Sequence, residues 1–207
     1  MPLVKIKICG ITNVEDALAA VDMGADLLGF NFYPKSPRYI ELDEAIKIVD
    51  KLPTFVDTVG IFVNATFEQI KNVEEHGLLN WVQLHGDETP KFCDSLRWFH
   101  FRTMKAIRVK SAEDMAKVYD YYTDAVLLDA FDPERYGGTG HTFDWSIIGN
   151  LHKRVFLAGG ITPETAAAAI KVGVYGIDIC SGVESEPGKK DHAKMKRLFE
   201  NVKHLIR

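Results

Sequence analysis

The chain alternates short runs of β-branched and aromatic residues with longer amphipathic stretches, and this alternation continues along its whole length. The short runs predict strands near 4–9, 27–33, 57–63, 81–86, 102–109, 125–131, 155–160 and 175–181. Apolar residues at helical spacing predict helices near 13–24, 43–52, 66–77, 88–97, 111–122, 144–151, 163–172 and 191–206. The pattern therefore predicts eight consecutive β/α units.

Strictly alternating units predict parallel strands joined by right-handed crossovers. No linker rich in Pro, Gly or Ser interrupts them, so we expect a single domain over residues 1–207. The predicted fold class is α/β, a compact (β/α)8 TIM barrel with helices and loops near their minimum length. An open, doubly wound sheet is the alternative, and it predicts GxGxxG after the first strand, where this sequence has CGIT.

Composition excludes several classes of partner. The formal net charge is -4 and the basic residues are spread along the chain, which argues against nucleic acid. No apolar stretch reaches the roughly 18 residues of a membrane span and no signal peptide is evident, so we expect a soluble, cytoplasmic protein without a membrane partner. The three cysteines form no CxxC pair, which predicts reduced thiols. The sequence has neither a metal-binding nor a dinucleotide motif, so we expect no metal and no cofactor.

In a barrel of this kind, the residues at the carboxyl ends of the strands line the site. These positions in the present sequence are mostly polar: Cys9, Asn31, Asn64, His85, Arg108, Asp129, Gly160 and Ser181. We therefore expect the chemistry to lie at this end of the barrel.

Two turns of small residues follow the seventh and eighth predicted strands, in LAGGIT and CSGVE. Gly159 and Gly160 have no Cβ that would keep an anion from the backbone N–H groups, and Ser181 with Gly182 repeats the arrangement. Either turn alone could be only a tight connection. Together, after these two strands, they predict a phosphate site.

A thiol and a carboxyl are the candidate reacting groups. Cys9 ends the first strand on its polar face, beside Lys5 and Lys7, although a free cysteine is often only a small buried apolar residue. Asp129 ends the run AVLLDA, and a partly desolvated carboxyl there can act as an acid near neutral pH. A helix cap or a loop salt bridge is the alternative for Asp129.

Other polar residues are expected to support the site. Arg38, in the proline-rich loop YPKSPRYI, can hold a carboxylate in a bidentate fork, unless it is an ordinary surface arginine. Gln83, His85 and Asp178 are expected to contact the substrate, and a strand histidine such as His85 is more often structural. A glycine-rich loop, ERYGGTGHTFDW, is predicted to be mobile.

Six motifs together resemble the phosphoribosylanthranilate isomerase family, over essentially the whole chain. They are KICGIT, GFNFYPKSPRYI, VQLHGDE, LLDA with the following YGGTGHTFDW, LAGGI, and SGVESEPGKKD. The resemblance implies a cofactor-free Amadori rearrangement of N-(5'-phosphoribosyl)anthranilate to 1-(2-carboxyphenylamino)-1-deoxyribulose 5-phosphate, the third step from chorismate to tryptophan.

The resemblance also assigns roles. Asp129 would protonate the furanose oxygen and Cys9 would remove the C2 proton. Arg38 would hold the anthranilate carboxylate, while Gly160, Ser181 and Gly182 would hold the phosphate. No obligate protein partner is implied.

The sequence departs from the family pattern at one site residue and in one segment. Cys180 stands where the family often has serine, and AFDPERYGG is variable in length among relatives. A ribulose-phosphate epimerase could share LAGGI but would lack the Cys9 and Asp129 pair. A phospho-ligand binder without activity is the alternative from another class.

Overall fold

The chain closes into a single barrel of eight parallel strands, with the helices between consecutive strands outside. This computed structural model describes residues 4–131, 137, 142–149 and 151–206. Each strand pairs with the next in sequence. The last strand pairs with the first, in a register that runs from the pair Lys5 and Gly176 to the pair Ile8 and Ile179. The predicted TIM barrel is thus confirmed and the open sheet is excluded.

The elements follow the predicted order with shorter bounds. The strands are β1 Lys5–Cys9, β2 Leu27–Asn31, β3 Asp57–Phe62, β4 Trp81–Leu84, β5 Arg102–Val109, β6 Ala125–Ala130, β7 Val155–Leu157 and β8 Gly176–Ile179. The α-helices are α1 Val14–Met23, α2 Leu42–Val49, α3 Phe67–Glu74, α4 Pro90–Ser95, α5 Ala166–Lys171 and α6 His192–Ile206. Short 3₁₀ helices cover Leu96–Trp98, Ala112–Tyr119, Trp145–Ile148 and Ser181–Val183.

Two of the predicted α-helices are 3₁₀ helices, those near 111–122 and 144–151. A 3₁₀ helix rises about 2.0 Å per residue against about 1.5 Å in an α-helix, so it covers the same depth with fewer residues. The connection from β5 to β6 is short, and a 3₁₀ helix lets its few residues reach from one end of the barrel to the other. Spacing of apolar residues alone does not distinguish the two forms over so few turns.

A small antiparallel hairpin after β8 was not predicted. Its strands are β9 Glu184–Glu186 and β10 Lys189–Lys190, joined by a turn in which Gly188 has φ +84°. Strands of two or three residues are too short to show an alternating pattern. The hairpin matters because it carries two charged residues to the mouth of the barrel.

The barrel interior has an apolar lower part and a polar upper part. Nine buried residues from β2 to β7 fill the lower part: Leu27, Val59, Trp81, Met104, Ala106, Ala125, Leu127, Phe156 and Ala158. On two of the strands the next position on the same inward face is polar, as Asp129 follows Leu127 on β6 and Gln83 follows Trp81 on β4. Such a strand changes from core to site within two residues, because its side chains alternate between faces.

Candidate active site

A cavity of about 580 Å³ opens at the carboxyl ends of the strands. The predicted site residues that line it are Cys9, Arg38, His85, Asp129, Gly160, Asp178, Ser181 and Gly182. Gln83 is fully buried beneath His85 and is not among the cavity-lining residues that the structure describes. Residues from distant parts of the sequence therefore share one concave surface, as expected for a ligand site.

Cys9 is partly exposed to the cavity and has an acidic thiol. A hydrogen bond from Cys180 is the largest influence that lowers its pKa, and the charges of Lys7 and Lys190 act in the same direction. Burial opposes them, but the pKa of Cys9 still lies well below its usual value. Since the thiolate is the basic form, Cys9 is suited to accept a proton.

Lys7 and Asp178 form a buried ion pair below Cys9, with Nζ 2.9 Å from Oδ1. Burial, followed by the negative charge of Cys9, raises the pKa of the Asp178 carboxyl to about 7, although Lys7 acts against the shift. The Asp178 carboxyl and the Cys9 thiol thus share the ammonium ion of Lys7. The net charge of the site can therefore change near neutral pH.

Asp129 ends a chain of three hydrogen-bonded side chains. Its Oδ2 lies 3.2 Å from Nε2 of His85, whose Nδ1 lies 2.8 Å from Nε2 of Gln83. The Asp129 Oδ1 accepts a hydrogen bond from the backbone N–H of Ala130. Gln83 thereby holds the His85 ring in the orientation in which it contacts the Asp129 carboxyl. Its effect on Asp129 is therefore indirect.

Arg38 forms a buried ion pair instead of standing free above the cavity. Its Nε lies 2.9 and 3.1 Å from the two carboxylate oxygens of Glu184, and its Nη2 lies 2.7 Å from Oε2. This fork fixes the guanidinium plane at the cavity wall. Its Nη1 makes no hydrogen bond within the described part of the chain.

Glu184 also binds a second cation, Lys190, whose Nζ lies 2.8 Å from Oε1. The same ammonium donates to the backbone carbonyl of Cys9 at 2.6 Å. The hydrogen bonds of Arg38 and the charge of Lys190 hold the pKa of Glu184 below its usual value despite burial. Sequence reasoning missed both hairpin residues, although they lie within the motif SGVESEPGKKD.

The two small-residue turns meet, as predicted. A Cβ added to Gly182 would lie 1.9 Å from the carbonyl oxygen of Ile161, so glycine is required for this close approach. Gly159 and Gly160 have φ of +84° and +61°. Within the described residues, the backbone N–H groups of Gly160, Ser181 and Gly182 have no hydrogen-bond partner. They are available to an anion.

Three other strand-end residues have structural contacts. Asn31 accepts from the N–H of Tyr33, Asn64 accepts from the N–H of Asp87, and Arg108 pairs with Asp87 at the rim. Most of the glycine-rich loop ERYGGTGHTFDW lies outside the described residues, so its predicted mobility stays a prediction. Among the described residues, no cluster of three acidic, histidine or cysteine side chains could hold a metal, and no helix could span a bilayer.

Fold and site together define the class of a TIM-barrel enzyme, in which unpartnered backbone N–H groups of the described residues, an acidic thiol and a buried carboxyl surround one cavity. The comparisons make this class specific. The family model for N-(5'-phosphoribosyl)anthranilate (PRA) isomerase matches residues 6–201.

The chain is 47% identical over 206 residues to the N-(5'-phosphoribosyl)anthranilate isomerase of Citrifermentans bemidjiense, covering 98% of each protein. It also matches the phosphoribosylanthranilate isomerase structure from Thermotoga maritima, with 43% identity and a TM-score of 0.90, over 98% of this chain and all of the other. A second structure, 41% identical with a TM-score of 0.87 over the same shares, contains reduced 1-(o-carboxyphenylamino)-1-deoxyribulose 5-phosphate. This chain belongs to the N-(5'-phosphoribosyl)anthranilate isomerase family, and it is an isomerase of tryptophan biosynthesis.

Proposed function

We propose that this chain carries out the Amadori rearrangement of N-(5'-phosphoribosyl)anthranilate by acid and base catalysis, with Asp129 as the acid and Cys9 as the base. The observation that carries the proposal is that an acidic thiol and a buried carboxyl line the same cavity as the two glycine turns. A phosphate held at the turns would place the sugar between the two reacting groups.

In the first step, Asp129 gives its proton to the furanose ring oxygen. The C1–O bond breaks, and the nitrogen lone pair forms a C1=N double bond, which gives the open-chain Schiff base. His85 supports this role because it lies 3.2 Å from the Asp129 carboxyl and can share its proton. Its other ring nitrogen contacts Gln83, which keeps the ring in place.

In the second step, the Cys9 thiolate removes the proton from C2. The electron pair of the C–H bond forms a C1=C2 bond while the nitrogen regains its lone pair, which gives an enolamine. Tautomerisation of the enolamine then gives the aminoketone product. Lys7 and Lys190 support the base role because their charges favour the thiolate before the substrate arrives.

The two ends of the substrate are anionic, and the cavity offers a group for each. The N–H groups of Gly160, Ser181 and Gly182, which have no partner among the described residues, suit the phosphate. The Arg38 guanidinium, held in place by Glu184, suits the anthranilate carboxylate. Asp178, paired with Lys7, also lines the cavity and can contact the sugar. The free thiols suit a reducing compartment, and we infer a cytoplasmic location.

The proposal is tested by measuring kcat for the rearrangement in Cys9→Ser and Asp129→Asn. We expect each variant to lose about 10²-fold or more, since serine is a much poorer base and asparagine has no proton to give. The acidic limb of the pH profile should also disappear in Cys9→Ser. Cys93→Ala is the control, because this thiol is buried in the helix layer away from the cavity. A Cys9→Ser enzyme with a wild-type kcat would remove the base role.

A further inference from the structure

Two thiols lie side by side at the active site. Ile8 and Ile179 are paired across β1 and β8. Cys9, the last residue of β1, follows Ile8, and Cys180 follows Ile179 directly after the end of β8. Neighbouring strands lie about 4.8 Å apart, and disulfides join Cα atoms about 4.4–6.8 Å apart. The usual spacing of paired strands thus falls within the range that a disulfide can bridge.

The side chains also face each other. Both cysteines line the cavity and both are partly exposed, and the Cys180 thiol also lies 3.8 Å from Oε1 of Glu184. Glycines surround them: a Cβ on Gly29 would lie 2.9 Å from the Cys9 sulfur, and one on Gly10 would lie 3.1 Å from the Cys180 sulfur. Without these side chains, the sulfurs are not crowded from the neighbouring backbone.

We propose that Cys9 and Cys180 form a reversible disulfide under mild oxidation by a peroxide, and that the enzyme is inactive while the disulfide is present. The Cys9 thiolate attacks the peroxide, so that an S–O bond forms, the O–O bond breaks and hydroxide leaves. Cys180 then attacks the resulting sulfenic acid; the S–S bond forms, and the hydroxyl leaves as water with the Cys180 proton. Overall, two thiols lose two electrons and two protons while one hydrogen peroxide becomes two waters.

The two cysteines are chemically unequal in the way that this sequence requires. The pKa of Cys9 is lowered, whereas the hydrogen bond with Cys9 and burial raise the pKa of Cys180. The first thiol is therefore the one that peroxide oxidises, and the second is the resolving thiol. Cys93 lies in the core with no exposed surface and should not react.

The experiment treats Cys93→Ala protein, which holds only the two active-site thiols, with a small excess of hydrogen peroxide. We expect the intact mass to fall by two hydrogens, and a non-reducing peptide map to join the segments around Cys9 and Cys180. Activity should fall in proportion to the cross-linked fraction and return with dithiothreitol. The disulfide itself does not depend on the proposed role of Cys9, because mass and peptide map report it without any assay of turnover.

Cys180→Ser, made in the same background, is the matched variant, and its activity is compared only with its own untreated sample. Without the resolving thiol, Cys9 should gain oxygen atoms and pass to the sulfinic acid, which dithiothreitol does not reverse. The proposal is overturned if the two-thiol protein gains oxygen without a cross-link.

Discussion

Lys7 stands two residues before Cys9 on the inward face of β1, and its ammonium is fully buried. It lowers the pKa of the Cys9 thiol through its charge and a hydrogen bond. Replacing it with methionine keeps the length of the side chain and removes both effects. We expect Lys7→Met to raise the pKa of Cys9 by about one unit or more, because an opposite charge at close range shifts a pKa by about that amount.

The pH dependence of alkylation by iodoacetamide measures this ionisation directly, since only the thiolate reacts. In Lys7→Met the midpoint should move to higher pH, and the rate at neutral pH should fall. Lys5→Met is the matched control, because Lys5 is on the same face of β1 but pairs with Asp26 at the other end of the barrel. An unchanged midpoint in Lys7→Met would show that the Cys180 hydrogen bond and the charge of Lys190 keep the thiol acidic without Lys7.

At the scale of elements, the hairpin of β9 and β10 supplies the charges that hold the cavity wall. Glu184 is the shared anion of two buried cations, Arg38 and Lys190. In Glu184→Gln both cations remain buried without a negative partner. We expect this variant to lose about 3–5 kcal/mol of unfolding free energy, the usual cost when one member of a buried ion pair is removed.

Urea unfolding of Glu184→Gln and Glu186→Gln tests this expectation within one hairpin. Glu186 is exposed and lies 3.9 Å from Lys189, so its replacement should change the unfolding free energy by no more than about 0.5 kcal/mol. Similar losses in the two variants would mean that the hairpin contributes little through its buried charges.

The same hairpin shows where sequence reasoning reaches its limit. The reacting residues Cys9 and Asp129 could be proposed because each ends a recognisable strand, and strand ends of a parallel barrel meet at one face. The partners of Arg38 and Lys7 could not, since Glu184 and Asp178 lie 146 and 171 positions away from them. A pairing of this kind depends on the closed barrel, and no local pattern encodes it.

At the scale of the whole molecule, an anion bound at the two glycine turns should stabilise the folded chain, because the unfolded chain has no such site. Sulfate should therefore raise the Tm as its concentration increases, and it should compete with the substrate. In Gly160→Leu the increase should be lost, since a side chain at this φ of +61° would crowd the backbone N–H groups.

Gly77→Leu is the control for backbone strain. Gly77 has φ +65° but open space around its Cα, on a turn before β4 at the opposite face of the barrel. Both variants should have a lower Tm, and only Gly160→Leu should fail to respond to sulfate. A normal sulfate response in Gly160→Leu would place the anion elsewhere.

The pairing of the first strand with the last has a consequence for how the chain folds. Cys180 and Lys190 come from the end of the sequence, and they reach Cys9 only when β8 has joined β1. Contacts of such long separation are expected to form late, because closing a long loop is entropically costly. A nascent or half-assembled barrel would thus carry a less acidic and more slowly reacting cysteine. The thiol becomes strongly nucleophilic only when β8 pairs with β1. The rate of Cys9 alkylation during refolding would therefore report when the barrel closes.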